Sequence, residues 1–252
     1  MTAEKEEKQA GKVLGVERRV DALHEGEHHP YRRPRDAATL ILVRQTGRAP
    51  EVLLGCRAGS NAFMPNRYVF PGGRVDAADT RVPYAADLRD EVAERLARAC
   101  SIARGRALAV AAIRETFEET GLIIGKPWQP RKSGDVAEHW RGFIDAGMAP
   151  ALDSLDYIAR AVTPPGRPRR FNARFFMADA SVIAGGEIKS NGELGDIRWV
   201  RLDEAQQLPV PTITQLVLGE VARLLKEPPA AVRDRRIPLF KTVHGKHLLM
   251  EE

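Results

Sequence analysis

RETFEETGL, residues 114–122, decides how the rest of this chain is read. On a helix, Glu115, Glu118 and Glu119 stand at i, i+3 and i+4, so the three carboxylates share one face. Like charges at that spacing repel by roughly 0.2–0.5 kcal/mol per pair. Gly121 is a good helix terminator, which puts the same carboxylates at the negative end of the helix dipole, at a cost of roughly 0.3–1 kcal/mol each. Only Arg114 is near enough in sequence to offset any of this. A Glu-rich helix end is commonly just a solvated face, but uncompensated local conflict is also where functional sites are expected. A hard divalent cation would supply the compensation. Oxygen-only ligands on one face suit Mg²⁺ or Mn²⁺, whereas zinc would want His or Cys, and none is adjacent.

Outward from this segment, the helix reads back through RALAVAAIRETFEET (106–120), and a second helical spacing precedes it in DLRDEVAERLARACSIAR (87–104). FPGG (70–73) is a strand end followed by two glycines, a place where backbone approaches a ligand closely. Strands are expected at AATLILVR (37–44), EVLLGCR (51–57), YVF (68–70), YIARAV (157–162), RFFMA (174–178) and IRWV (197–200), and LII (122–124) follows the glutamate helix. Further helices are expected at 135–147 and at 211–227, the latter with Pro at its start, and the tail 236–250 carries a final strand. Strands and helices mix without strict alternation, so the fold class is α+β. Residues 1–35, charged and turn-rich, read as a mobile arm, and 36–252 as one domain.

Glycine pair and carboxylate helix together, GG followed by R-E-x-x-E-E-x-G-[LIV], resemble the Nudix box. Arg114, Glu115, Glu118, Glu119, Gly121 and Leu122 match, while Thr116 sits where that family usually has an aliphatic residue. The resemblance implies an α/β/α sandwich with a mixed curved sheet between helices. It implies a hydrolase cleaving nucleoside diphosphates linked to another group. It also implies that Glu115, Glu118 and Glu119 hold Mg²⁺ or Mn²⁺, with the Gly73 carbonyl completing the shell. Arg114 would pair with a carboxylate to hold them in position.

One departure is large. About 40 residues separate Gly73 from Arg114, about 27 more than the resemblance implies, and the extra length is a helical insertion at about 77–105. The position of an early box glutamate falls on Arg106. Asp76 or Asp79, in GGRVDAAD, would replace that glutamate from the loop. An insertion here resembles the Nudix branch that includes peroxisomal coenzyme A diphosphatases, as do the flanks FMPNRYVFPGG (63–73) and TPPGRPRRFNARFF (163–176). That branch implies coenzyme A or acyl-CoA as substrate, giving 3′,5′-ADP and 4′-phosphopantetheine. ADP-ribose, nucleotide sugars and dinucleoside polyphosphates are the alternatives, and a non-catalytic nucleotide- or RNA-binding domain is a further one. Leu53, Leu54 and Arg57 match the start of the general coenzyme A signature ahead of the box, but AGSNAFMPNRY does not continue it.

Hydrolysis needs a base within hydrogen-bond reach of the attacking water. By resemblance it is a box glutamate or one from a later loop. EIKSNGELGDIRWV offers Glu187 and Glu193, and Glu193 is preferred for its spacing before Trp199. Guanidinium groups suit phosphate, which makes Arg169 and Arg170 in TPPGRPRRF, together with Arg57 and Arg67, the substrate-binding candidates. Phe70 and Gly72 join them beside the box, and Phe63, Met64 and Tyr68 are candidates to line a pocket. HEGEHH (24–29), His244 and His247 lack a metal-site spacing, and Trp128 and Trp140 are expected to pack.

Composition is ordinary for a globular chain of 252 residues, 43% hydrophobic and 29% charged. No apolar run approaches the roughly 18 residues of a membrane span. The polar N-terminus carries acids and does not read as a targeting segment, and Cys56 and Cys100 form no disulfide framework, so the expected compartment is the cytoplasm. A net charge of +5, with arginines clustered at 32–35, 167–170 and 233–236, favours phosphorylated small molecules as partners. Nucleic acid is disfavoured because no aromatic-rich platform accompanies the charge. A homodimer is the family-based expectation.

Overall fold

The computed structural model describes residues 12–13, 30–47, 49–59, 65–128, 138–228, 235–243 and 246–252. HEGEHH (24–29), Phe63, Met64, Arg233 and His244 lie outside the described residues.

The strand core forms where the apolar runs predicted it. β2 (Arg35–Thr46) and β3 (Ala49–Arg57) form an antiparallel pair at the centre of a mixed ten-stranded sheet. The run is nearly continuous because both faces of β2 are buried. Leu40 and Leu42 enter one core cluster and Ile41 and Val43 the other. β8 (Asp156–Val162) and β9 (Phe171–Asp179) extend the sheet on one side of β2, with β9 parallel to β2. β11 (Leu194–Arg201) closes the other side against β3.

Two helices complete the layers. α2 (Ile102–Thr120) packs its buried stretch Leu108–Ile113 into the first cluster. α5 (Thr212–Leu224) follows Pro211 and places Val217, Leu218, Val221 and Leu224 in the second cluster, at the spacing of one helical face. The result is the α/β/α arrangement expected from the sequence, with the sheet between helices.

The insertion differs in detail from its reading as one helix over 87–104. α1 covers only Asp90–Ala97, and α2 starts at Ile102 because the Ser101 hydroxyl accepts a hydrogen bond from the Arg104 N–H and caps it. Leu88, Val92 and Leu96 join the same core cluster as α2, so the insertion is part of the main core. Gly105 brings the two helices close: a Cβ there would lie 3.3 Å from Leu96 Cβ. Arg106, at the position of the early glutamate, holds the insertion through a forked bond to Asp87 at 2.6–3.0 Å.

Most of the smaller elements escaped the sequence patterns, the strand at YVF (68–70) excepted. β4 (Tyr68–Val69) pairs with β3, and β5 (Gly72–Arg74) pairs with β2. β6 (Ile123–Pro127), β7 (Met148–Pro150) and β10 (Ile183–Gly185) form a separate three-stranded sheet. Within the stretch read as a helix over 135–147, the described part is a 3₁₀ turn (Glu138–Trp140) and a short α3 (Arg141–Asp145). Trp140 packs there, fully buried against Phe143. A four-residue α4 (Leu202–Ala205) follows β11.

The tail forms two strands rather than one. β12 (Pro238–Val243) runs parallel to β8 and turns back as β13 (Lys246–Glu251). Within the segment read as an arm, β1 (Lys12–Val13) pairs with β13, and Arg35 already belongs to β2. Cys56 and Cys100 are free thiols. Among the described residues no helix is long and apolar enough to cross a membrane.

Candidate active site

β5 lies beside β2 and brings the two glycines against the last turns of α2. There a Cβ on Gly73 would lie 2.4 Å from the Glu115 carboxyl carbon, and one on Gly72 would lie 2.6 Å from the Ala38 carbonyl oxygen. At Gly72 a side chain would strike the backbone of β2, and at Gly73 it would displace the Glu115 carboxylate. α2 ends at Gly121 with φ of 76°, and a Cβ there would meet the Glu187 carbonyl at 2.5 Å. The terminator therefore also lets the 186–189 loop close over the helix end, where the Lys189 N–H donates to the Thr120 carbonyl at 2.9 Å.

Arg114 organises the carboxylates. Its guanidinium donates to both Asp79 oxygens (2.9 and 3.1 Å), to Glu115 (2.8 Å), to Glu118 (3.1 Å) and to the Arg74 carbonyl (2.8 Å). Burial opposes its charge, but the Asp79 hydrogen bond and the surrounding carboxylates outweigh that and raise its pKa further. Asp79, whose side chain is fully buried, thus occupies the role for which the sequence left Asp76 and Asp79 open. Asp76 supports it: the Asp76 N–H donates to Asp79 at 2.8 Å, and the Asp76 carboxylate accepts from the Ala78 N–H.

Glu119 is held separately, by the Gly72 N–H at 2.9 Å. Burial is the main force raising its pKa to about 8; the Gly72 hydrogen bond and the Arg57 charge oppose the rise, while Glu115 and Glu193 add to it. The same cause, burial, lifts Glu115 to about 7 against the pull of Arg114. Thr116, the residue out of keeping with the box, is fully buried and harmless, because its hydroxyl donates to the Ala112 carbonyl one turn back at 2.8 Å.

These shifts set a sign for stability. Above about pH 4.5 the unfolded chain has released the protons that folded Glu115 and Glu119 retain, so the native state binds more protons. The stabilisation is complete below 4.5 and lost as pH rises through about 7 and 8. In chelator, the melting midpoint of the wild type relative to Glu119→Gln is expected to fall across that window, and added Mn²⁺ should reverse the fall. A difference that stays flat or rises with pH would contradict this electrostatic picture.

The other sequence candidates separate into two groups. Arg57 and Glu193 come together beside Glu119: Leu194 is the register partner of Arg57, and both charges act on Glu119. Arg57 Nε is buried without a hydrogen-bond partner among the described residues. Arg67 is half-buried next to Arg57, its carbonyl accepting the Arg57 N–H at 2.9 Å. Glu187 is largely exposed and pairs with Lys189.

Phe70 departs from its reading as a substrate contact. It is buried in the cluster on the α5 face, because the strand alternation turns it away from α2. Arg170 departs too. It is buried with its guanidinium committed to the carbonyls of Thr163 (3.1 Å) and Arg32 (2.6 Å), and Arg169 beside it is exposed. Tyr68 turns its hydroxyl to Asp196 and Arg198 on β11. The residue that sequence reasoning left undecided is Asp79. The one signal for it was the acidic pair following GGR.

The donor set Glu115, Glu118, Glu119 and the Gly73 carbonyl is all oxygen, and two of its carboxylates are buried with raised pKa values, which fits a hard divalent cation. Among the described residues no three carboxylate, His or Cys side chains converge into a ready-made cage, since Arg114 sits between Glu115 and Glu118.

Residues 33–217 match the NUDIX domain model. A Caenorhabditis elegans protein named as a nudix hydrolase is 29% identical over 199 residues, covering 72% of this chain and 59% of its own length. An acyl-coenzyme A diphosphatase of Gallus gallus is 24% identical over 239 aligned positions, covering 68% of this chain and 62% of its own. The chain thus spans about 60% of the length of these curated relatives. The crystal structure of a NUDIX hydrolase from Alicyclobacillus acidocaldarius superposes with a TM-score of 0.56 at 28% identity, over 75% of this chain and 92% of that one. With its glycine pair, its carboxylate helix and a domain match over most of its length, the chain belongs to the Nudix hydrolase family.

Proposed function

We propose that the chain is a Mg²⁺- or Mn²⁺-dependent pyrophosphohydrolase whose substrate is coenzyme A or an acyl-CoA, hydrolysed to 3′,5′-ADP and the (acyl-)4′-phosphopantetheine. The observation that carries the hydrolytic reading is the pair of anchors on α2, with Arg114 fixing Glu115 and Glu118 and the Gly72 N–H fixing Glu119. Two observations support the substrate. An insertion built into the core separates the glycines from the helix, and an acyl-coenzyme A diphosphatase is among the relatives.

Glu115, Glu118, Glu119 and the Gly73 carbonyl would hold the cation, which supplies positive charge against the phosphoryl oxygens. The protein's own residues do the rest. Arg57, whose charge acts on Glu119 and whose buried Nε has no hydrogen-bond partner among the described residues, would offer the diphosphate a charge-assisted hydrogen bond. Asp79 and the Arg74 carbonyl keep Arg114 from swinging into the substrate's place. Glu193 is the base that takes a proton from the attacking water. It is exposed enough to pass that proton to solvent and close enough to feel the Glu119 charge. The protein would work on this small phosphorylated substrate in the cytoplasm, as a homodimer.

The deciding assay offers coenzyme A, ADP-ribose, a nucleotide sugar and capped RNA in Mg²⁺ or Mn²⁺, with products resolved by chromatography. Coenzyme A is expected to give 3′,5′-ADP, and phosphopantetheine in equal amount. Cleavage of ADP-ribose with coenzyme A spared would overturn the substrate, and no turnover of any compound would overturn the enzyme.

A further inference from the structure

Away from the carboxylates, the described residues line an open cavity of about 810 Å³ with eight cationic side chains and one carboxylate, Asp36. The cations converge from separate parts of the chain. Arg33 and Arg35 come from the entry to β2, Arg74 from the end of β5, Arg104 from the first turn of α2, and Lys241 from β12. Arg160, Arg170 and Arg174 come from β8, β9 and the turn between them.

The single carboxylate is already shared. Asp36 accepts from Arg104 (2.7 Å), Arg174 (2.7 Å) and Asn172 (2.9 Å), while Arg160 bonds to Asn172 and pairs with Glu252. Arg33, Arg35, Arg74 and Lys241 have no ion pair among the described residues. Arg174 is the most telling: its side chain is 2% exposed, yet its Nε has no hydrogen-bond partner among the described residues. A buried guanidinium donor without an acceptor is costly unless something else accepts from it. A cavity that gathers like charges and leaves such a donor is built for an anion.

We propose that this cavity is a second anion site, one that takes a phosphate ester or pyrophosphate and is distinct from the carboxylate centre. Arg74 borders both, its side chain lining the cavity and its carbonyl accepting from Arg114, while Arg104 and Glu115 are eleven residues apart on one helix, about 16 Å along its axis. The site does not depend on the hydrolase reading, because cations alone would hold the anion and no divalent metal is needed.

The test is calorimetric titration of the full chain with inorganic pyrophosphate in chelator at low salt. Saturable binding that weakens steeply with added salt is expected. Arg33→Glu with Lys241→Glu reverses two exposed charges and is expected to weaken binding at least about tenfold. If that double variant melts early, Arg33→Ala with Lys241→Ala serves in its place. Glu118→Gln should bind pyrophosphate as the wild type does. No saturable binding by the wild type, equal binding by the double variant, or loss of binding in Glu118→Gln would each overturn the proposal. Two sources of phosphate are then separated kinetically. A raised KM at unchanged kcat in the double variant assigns the site to a distal phosphate of the substrate, and an unchanged KM assigns it to a separate phosphorylated ligand.

Discussion

Asp79→Ala is expected to destabilise the protein by about 3–5 kcal/mol, the effect of leaving one member of a buried ion pair without its partner. Asp79 is fully buried and Arg114 is 6% exposed, so solvent does not screen the loss. Two of the five hydrogen bonds of the guanidinium go to Asp79, and Glu115, Glu118 and the Arg74 carbonyl cannot turn to replace both. For a domain of this size each kcal/mol lowers the melting midpoint by roughly 2–4 °C. Asp79→Asn keeps one acceptor and should fall between the alanine variant and the wild type. Denaturant unfolding measures the difference. A loss under about 1 kcal/mol would mean that Arg114 finds another partner and that Asp79 is not its anchor.

Glu119→Gln carries the largest expected effect on turnover, a fall in kcat on the order of 10²–10⁴-fold with the fold retained, the several kcal/mol that a displaced cation would cost. Glutamine keeps the shape and can still accept the Gly72 N–H, so the backbone anchor survives. It cannot carry the negative charge that the cation would require. Since burial already pushes the Glu119 carboxyl up to about 8, the neutral replacement relieves a desolvation cost above that pH. The variant should therefore melt no lower than the wild type in chelator at alkaline pH while losing activity in Mg²⁺ or Mn²⁺. Loss of activity together with a large drop in midpoint would mean that Glu119 acts through structure and not through chemistry.

Much of this was legible in the residues. A run such as TLILV is readable as a doubly buried strand, since its neighbours alternate between two cores. The Gly121 terminator and the one-sided glutamates were readable because a helix fixes which side chains share a face. The short strands β5, β7 and β10 were not, since three residues carry no period, and only pairing with β2 and β6 defines them. The burial of Phe70 and the commitment of the Arg170 guanidinium to backbone carbonyls were not readable for a related reason. An aromatic beside a glycine pair or an arginine in a proline-rich turn looks the same in sequence whether it faces a ligand or the core.

The sequence by itself determined the chemistry offered at the centre: three carboxylates on one helical face, an arginine beside them and glycines that leave room. Local geometry suffices for that, since i, i+3 and i+4 positions coincide in any α-helix. Only the tertiary structure decided which acid balances Arg114. Asp79 is 35 residues away from it, and nothing in the chain between them specifies the meeting. The same holds for the basic cavity, whose cations lie as far apart as Arg33 and Lys241. Packing of β2, β8, β9, β12 and α2 brings them together, and like charges do not assemble in that way unless other contacts hold the fold.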